Sequence, residues 1–133
     1  MKDLETDHTG YLVHGIEEAE AVFLALGYKA CGEPVPDERQ RARLLLMSDG
    51  EGRRIELVEP FENNRSLRKM LDNNGPGPYH VCYRTSSLEE SVCEFEEDGW
   101  AVLFAPTQAP ALGGKRICYL WRREVGFIEL VEK

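Results

Sequence analysis

The sequence predicts an α+β fold of two tandem βαβββ modules, which form a partly closed, barrel-like sheet of eight strands with the helices outside. The first observation is a repeat: with His80 placed over His8, apolar, acidic and glycine positions of the two halves coincide at an offset of 72 residues. The second observation is the order of patterns in each half, namely a short alternating strand, one helix and three further strands. The offset grows to 73 between the two IELVE segments, as one extra residue in a surface loop would produce.

The first module is predicted over residues 5–60 and begins with a strand over 8–13. The helix that follows has one apolar face and ends at Gly27, because glycine adopts the left-handed conformation that stops a helix. The apolar face is made of Ile16, Ala19, Phe23 and Leu26. The remaining strands of the module are predicted from Tyr28, over 43–47 and over 54–59.

A short helix over 63–74 is predicted to link the modules, and the GPGP segment ends it. In the second module, over 78–133, Ser87 and Glu90 have the spacing of a capping box, so a helix begins there and ends at Gly99. The strands of this module are predicted over 80–85, from Trp100, over 116–121 and over 126–132. We expect both modules to belong to one domain, residues 1–133.

Composition restricts the classes of partner. The chain has 133 residues, a hydrophobic fraction of 42% and a net charge of −8. These values fit one globular domain and disfavour nucleic acid and anionic membranes as partners, because both bind a clustered basic face. No signal peptide and no apolar run of bilayer length is visible, and the four cysteines have no metal-type or framework spacing. We therefore expect a cytoplasmic protein with reduced thiols.

Four polar residues lie where strand alternation points away from the helix-covered face. In Ile55-Glu56-Leu57 the apolar neighbours point one way and Glu56 the other, and Glu129 repeats this between Ile128 and Leu130. His8 and His80 begin the corresponding first strands. Taken alone, each histidine is typical of a hydrogen-bonded core residue and each glutamate of a solvent-facing one. Because a histidine followed by a glutamate recurs with spacings of 48 and 49 residues, the pattern favours a divalent-metal site of His8, Glu56, His80 and Glu129.

With these residues the chain resembles the vicinal-oxygen-chelate superfamily, over essentially its full length. Members include glyoxalase I, methylmalonyl-CoA epimerase, extradiol dioxygenases and metal-free drug-binding resistance proteins. The two-histidine, two-glutamate set is similar to that of bacterial glyoxalase I. The segments IELVEP, GPGPYHVCY and GGKRICYLW look most like the epimerase, although epimerases usually have glutamine where this chain has Glu56.

The resemblance implies a lyase of the glyoxalase I type (lactoylglutathione lyase-like), which removes a proton next to a carbonyl and stabilises an enediolate on a divalent metal ion. The implied cofactor is one such ion, which could be Ni, Co, Zn, Mn or Mg. The alternative is an isomerase like methylmalonyl-CoA epimerase, and a second alternative is a metal-free binding protein of the bleomycin-resistance type. The implied substrate is a small molecule, a thioester or a hemithioacetal. Relatives are commonly dimers, so a homodimer is expected, with the site within one chain or shared between two.

Two further roles follow from the residue types. Glu129 and Glu56 are the carboxylates that alternation directs to the predicted site, and one of them, with Glu129 favoured, is expected to be the general base. Arg43 and Arg116 begin equivalent strands. They either bind a carboxylate or phosphate of the substrate through bidentate hydrogen bonds, or are exposed charges at the strand ends.

Overall fold

The structure is a computed structural model of the chain, and it describes residues 3–133. These residues form two compact units, Thr9–Tyr79 and a second unit made of residues 3–8 and His80–Lys133. The strands of the described chain are β1 (Glu5–Leu12), β2 (Lys29–Ala30), β3 (Val35–Asp37), β4 (Ala42–Ser48), β5 (Arg54–Pro60), β6 (Gly77–Thr85), β7 (Ala101–Val102), β8 (Thr107–Ala109), β9 (Lys115–Arg122) and β10 (Gly126–Glu132). The α-helices are α1 (Ile16–Ala25), α2 (Arg65–Asn74) and α3 (Leu88–Glu97), and a 3₁₀ turn covers Pro110–Leu112.

In the 9–79 unit, the strands follow the order β2-β4-β5-β1, and β3 pairs with the first residues of β4, 42–44. β1 and β5 are parallel, whereas β4 and β5 are antiparallel. Helix α1 covers one face of this sheet, and its Ile16 is fully buried there. The core between helix and sheet contains Val13, Ile16, Leu45, Met47, Ile55 and Leu57, with Ala19 and Phe23 packed against it.

The prediction that Leu26 belongs to the apolar face of the first helix is wrong, because 66% of its surface is exposed. Helix α1 ends at Ala25, and Leu26 is the residue after its last turn, so the helical periodicity no longer directs this side chain toward the sheet. The predicted stop at Gly27 is present, with a φ of 98°. The start of α1 is capped from a distance, since the backbone N–H of Ile16 donates to Glu59 Oε1 at 2.9 Å.

The unit of residues 3–8 and 80–133 repeats this plan. Its strands follow the order β6-β10-β9-β7 with β8 beside β9, and β6 pairs with β10 in parallel. The Ser87 side chain accepts a hydrogen bond from the Glu90 N–H at 3.3 Å and caps α3, which ends before Gly99 at a φ of 94°. The helix-side core contains Leu88, Phe95, Cys118, Leu120 and Leu130, and the opposite face contains Cys82, Ala109, Ile117, Tyr119 and Val131.

The predicted α+β class and the duplicated βαβββ plan are confirmed, with one difference in strand number. The strand after each helix is divided into two short pieces, β2 with β3 and β7 with β8, and both pieces of a pair lie against the same long strand. Strands of two or three residues carry too little alternation to be read from sequence. Within residues 3–133, none of the helices has the length and apolar character that crossing a bilayer requires.

Candidate metal centre

Strand alternation gives β6 and β10 two different faces. Tyr83 and Leu130 pack under helix α3, whereas Cys82 and Val131 belong to the apolar cluster on the other face. His80 has the same parity as Cys82, and Glu129 the same parity as Val131. The two residues therefore share the face that α3 does not cover, as the sequence predicted for them.

Three of the predicted ligands meet in the unit of residues 3–8 and 80–133. The Nε2 atoms of His8 and His80 each lie 3.1 Å from the same atom, Glu129 Oε1. The three residues are almost fully buried, with exposed fractions of 1%, 3% and 1%. The two imidazole rings approach edge to face, with centroids 5.7 Å apart. Two nitrogen donors and one carboxylate oxygen thus converge away from solvent.

An aromatic wall holds the second imidazole. The ring of Tyr119 contacts His80 edge to face at a centroid distance of 5.1 Å, and the ring of Phe104 contacts Tyr119 at a centroid distance of 5.6 Å. Such aromatic contacts have preferred geometries, so they restrict the rotation of the imidazole ring. Tyr119 is also the cross-strand neighbour of Glu129, so this aromatic ring lies on the same strand face as the carboxylate.

Glu129 carries its negative charge in this environment. Burial raises the pKa of the Glu129 carboxyl, but the hydrogen bonds from His8 and His80 and the charge of these rings outweigh burial and lower the pKa to about 2. Its second oxygen, Oε2, has no hydrogen-bond partner within residues 3–133. A buried anionic oxygen without a donor is costly. The nitrogen and oxygen donors around it fit a divalent cation such as Zn²⁺, Ni²⁺ or Co²⁺.

The sequence pattern did not indicate a role for Asp7, which contacts His8, or for Arg84, which contacts Asp7. His8 Nδ1 lies 2.7 Å from Asp7 Oδ2, and the other oxygen of Asp7 accepts a hydrogen bond from Arg84 Nη1 at 3.0 Å. Alternation assigns neighbours in a strand to opposite faces, so the pattern gave no reason to pair Asp7 with His8. The only sequence signal is an acidic residue directly before a predicted ligand.

Glu56 belongs to the 9–79 unit and lies on β5. Its side chain is 1% exposed, and its neighbours Ile55 and Leu57 pack under α1. Glu56 therefore points to the face that the helix does not cover, in agreement with the alternation of the strand. Glu129 has the same orientation and the same burial on β10.

The structure places Arg43 and Arg116 on the helix-covered faces. The guanidinium of Arg43 bonds to Glu17 in the first turn of α1 and to Glu59 on β5. Its counterpart on β9 bonds in the same way, at 2.7 Å to Glu89 in the first turn of α3 and at 3.2 Å to Glu132 on β10. The predicted binding of a substrate anion stays a prediction, and these hydrogen bonds within each unit do not favour it.

Comparison with known proteins identifies the family. Residues 7–119 match the family described as the Glyoxalase/Bleomycin resistance protein/Dioxygenase superfamily. A comparison with curated proteins finds no match.

Similar solved structures cover almost the whole chain. A hypothetical protein from Bacillus halodurans C-125 is 26% identical with a TM-score of 0.84, over 99% of this chain and 96% of that one. The methylmalonyl-CoA epimerase from Mycobacterium tuberculosis is 24% identical with a TM-score of 0.84, over 96% and 86%. A Streptomyces coelicolor methylmalonyl-CoA epimerase in complex with 2-nitronate-propionyl-CoA is 24% identical with a TM-score of 0.83, over 96% of each chain. The two epimerases show a shared fold.

Proposed function

This chain belongs to the Glyoxalase/Bleomycin resistance protein/Dioxygenase superfamily, and within that family we propose that it is a metal-dependent enzyme that moves a proton at a carbon next to a carbonyl group. The observation that carries the proposal is the meeting of His8 Nε2 and His80 Nε2 at the buried oxygen Glu129 Oε1. A merely structural histidine pair has no need of a shared anionic oxygen in an apolar surround. Two imidazole nitrogens and a carboxylate oxygen form a donor set that binds a divalent cation and stabilises its positive charge.

We propose His8, His80 and Glu129 as metal ligands and Glu56 as the fourth. Glu56 is included because the repeat places it where Glu129 stands in the second module, and because the two glutamates are equally buried, at 1% exposure. When bound, a divalent metal polarises the oxygens of the substrate and makes the neighbouring C–H bond more acidic. The remaining contribution of the chain is to orient the substrate, exclude water and transfer the proton.

The proton acceptor is one of the two glutamates, which would leave its ligand position to take the proton, and Glu129 is the first candidate. A general base must reach the carbon-bound hydrogen from within hydrogen-bond distance, and carboxylates on the uncovered strand faces are suited to this. Tyr119, the cross-strand neighbour of Glu129, belongs to the apolar cluster on this face. The burial of Glu129, at 1% exposure, limits proton exchange with bulk water during the transfer.

Two reactions fit this chemistry. In the glyoxalase type, the proton leaves the hemithioacetal carbon and a proton returns to the adjacent carbonyl carbon, which gives a 2-hydroxy thioester. The ligand set of two histidines and two glutamates favours this candidate. In the epimerase type, the proton leaves the carbon beside a thioester and one returns to its opposite face. The similar structures favour this second candidate, since they include an epimerase in complex with 2-nitronate-propionyl-CoA.

Metal titration tests the proposal. Chelator-stripped protein is titrated with Zn²⁺, Ni²⁺, Co²⁺ and Mn²⁺ by calorimetry, and we expect one tight site per chain. His80→Ala should abolish tight binding, whereas His14→Ala should not, because His14 is exposed and lies outside the cluster. Absence of binding to the wild type would overturn the proposal and favour a metal-free binding protein.

Two activity assays separate the finer candidates. Incubation of methylmalonyl-CoA with the metal-loaded protein in deuterated water should place deuterium on the α-carbon if the epimerase reaction is correct. Loss of the methylglyoxal–glutathione hemithioacetal, with formation of the 2-hydroxy thioester, would identify the glyoxalase reaction. Glu129→Gln and Glu56→Gln, assayed in parallel at saturating metal, then distinguish the general base from the other glutamate.

A further inference from the structure

We infer that Asp7 is a positioning residue of the proposed metal centre: braced by Arg84, it holds the imidazole of His8 so that Nε2 points to Glu129. The inference rests on the proposed function, because it concerns the affinity of the same site. Asp7 itself lies on the far side of the His8 ring from Glu129 and is not one of the four proposed ligands. Its effect is therefore transmitted through His8.

The hydrogen bond between Asp7 and His8 determines which ring nitrogen carries a proton. Asp7 Oδ2 lies 2.7 Å from His8 Nδ1, and the Asp7 side chain is 7% exposed. The other oxygen of the same carboxylate accepts from Arg84, and a carboxylate in such a pair of contacts is an acceptor at both oxygens, so we assign His8 Nδ1 as the donor that carries the proton. With that proton on Nδ1, Nε2 is the ring nitrogen that remains for a metal, and it is the atom 3.1 Å from Glu129 Oε1. A metal requires this tautomer for coordination through Nε2.

Arg84 holds Asp7 in place. Its Nη1 donates to Asp7 Oδ1 at 3.0 Å, so both oxygens of the carboxylate have a partner. Arg84 Nη2 also lies 3.4 Å from Glu5 Oε2, on the more exposed side. Contacts at both oxygens fix the plane of the Asp7 carboxylate. The direction of the hydrogen bond to His8 is thereby fixed too.

The second histidine is held in a different way. The repeat places Tyr79 at the position that corresponds to Asp7, so the second module has no acidic residue there. His80 is oriented by the ring of Tyr119 at 5.1 Å instead. One imidazole is thus positioned by an ionic hydrogen bond and the other by aromatic packing. Changes at Asp7 should consequently affect His8 and leave His80 in place.

The test uses the full chain and two independent measurements. Asp7→Asn keeps the volume of the side chain, and calorimetric titration of the stripped protein with Zn²⁺ should show a Kd raised by about 10- to 100-fold. The matched control is Glu5→Gln, which removes the same charge beside the same arginine without a contact to His8, and its Kd should equal that of the wild type. Arg84→Gln should weaken binding less than Asp7→Asn, because it loosens the brace and leaves the carboxylate.

The second measurement needs no metal. Nuclear magnetic resonance of isotope-labelled, metal-free protein should show a slowly exchanging proton on Nδ1 of His8 in the wild type and in Glu5→Gln, and its loss in Asp7→Asn. An unchanged Kd in Asp7→Asn, or a wild-type His8 without a proton on Nδ1, would overturn the inference. If the wild type binds no metal, the proposed function fails, and the Nδ1 resonance alone then decides whether Asp7 holds His8.

Discussion

Replacement of Glu129 by glutamine is the sharpest test of the proposed metal centre, because it removes one charge and almost no volume. Apparent binding free energies of four-ligand zinc sites are about 10–16 kcal/mol, so one ligand in four contributes about 2.5–4 kcal/mol, which is about 60- to 700-fold in Kd. We expect Glu129→Gln to lose metal affinity by this factor. The metal-free protein should remain folded, since glutamine keeps the volume of the buried side chain and its amide can also form hydrogen bonds with the two imidazoles.

The measurement is calorimetric titration with Zn²⁺, together with chemical denaturation of the metal-free protein. Glu132→Gln is the matched control, because Glu132 lies on the same strand but bonds to Arg116 on the helix-covered face. Its metal affinity should equal that of the wild type. If Glu129→Gln binds Zn²⁺ as tightly as the wild type, the carboxylate is not a ligand and the reasoning fails. Unfolding of the variant without metal would instead show that Glu129 is required for the core.

Three further predictions concern stability and reactivity. Leu130→Ala should lower the free energy of unfolding by about 2–5 kcal/mol, because Leu130 is fully buried under α3. Leu103 is half-exposed, so Leu103→Ala should change the free energy of unfolding by less than about 0.5 kcal/mol. Denaturant titrations measure both. A thiol reagent at neutral pH should label two of the four cysteines in the native protein and all four after denaturation. The reason is that two cysteines are buried, and burial raises the pKa of the Cys118 thiol to about 11. Labelling of Cys118 in the native protein would contradict this prediction. The hydrogen bond from Arg116 lowers the pKa of the Glu89 carboxyl below its ordinary value of 4.5. The ion pair between Glu89 and Arg116 therefore stabilises the fold above pH 4.5, and this contribution is lost as the pH falls further. Because Arg116→Gln has no such ion pair, its free energy of unfolding should fall less than that of the wild type over the same acid range.

The fold could be predicted because two signals agreed. Alternation with a period of two and the internal repeat both place the long strands and helices, and the structure has them within a few residues of the predicted bounds. The same alternation places His80 and Glu129 on the uncovered face. Applied to Arg43, it gives the side of Leu45 and Met47, which is the helix-covered side where Arg43 lies. The sequence pattern therefore contained the information that this arginine faces α1.

The parts of the site that could not be predicted depend on side-chain conformation. The hydrogen bond from His8 to Asp7 joins neighbours that alternation separates, and it depends on the rotamers of both side chains. The contact of Tyr119 with His80 joins strands β9 and β6, whose register is set by tertiary packing. A single sequence describes the faces of strands. It does not describe which two side chains on a face touch.

The division of strand β1 between the two compact units bears on how such a protein could have arisen by duplication. Sequence similarity separates the chain near the GPGP segment, but His8 belongs to the compact unit that also contains His80 and Glu129. A fragment cut at the boundary of the repeat would hold one imidazole of the proposed centre and leave the other on its sister fragment. An ancestor the size of one module could therefore have assembled both imidazoles only from two copies. Fusion of two such copies into one chain would have made the assembly of the centre independent of protein concentration.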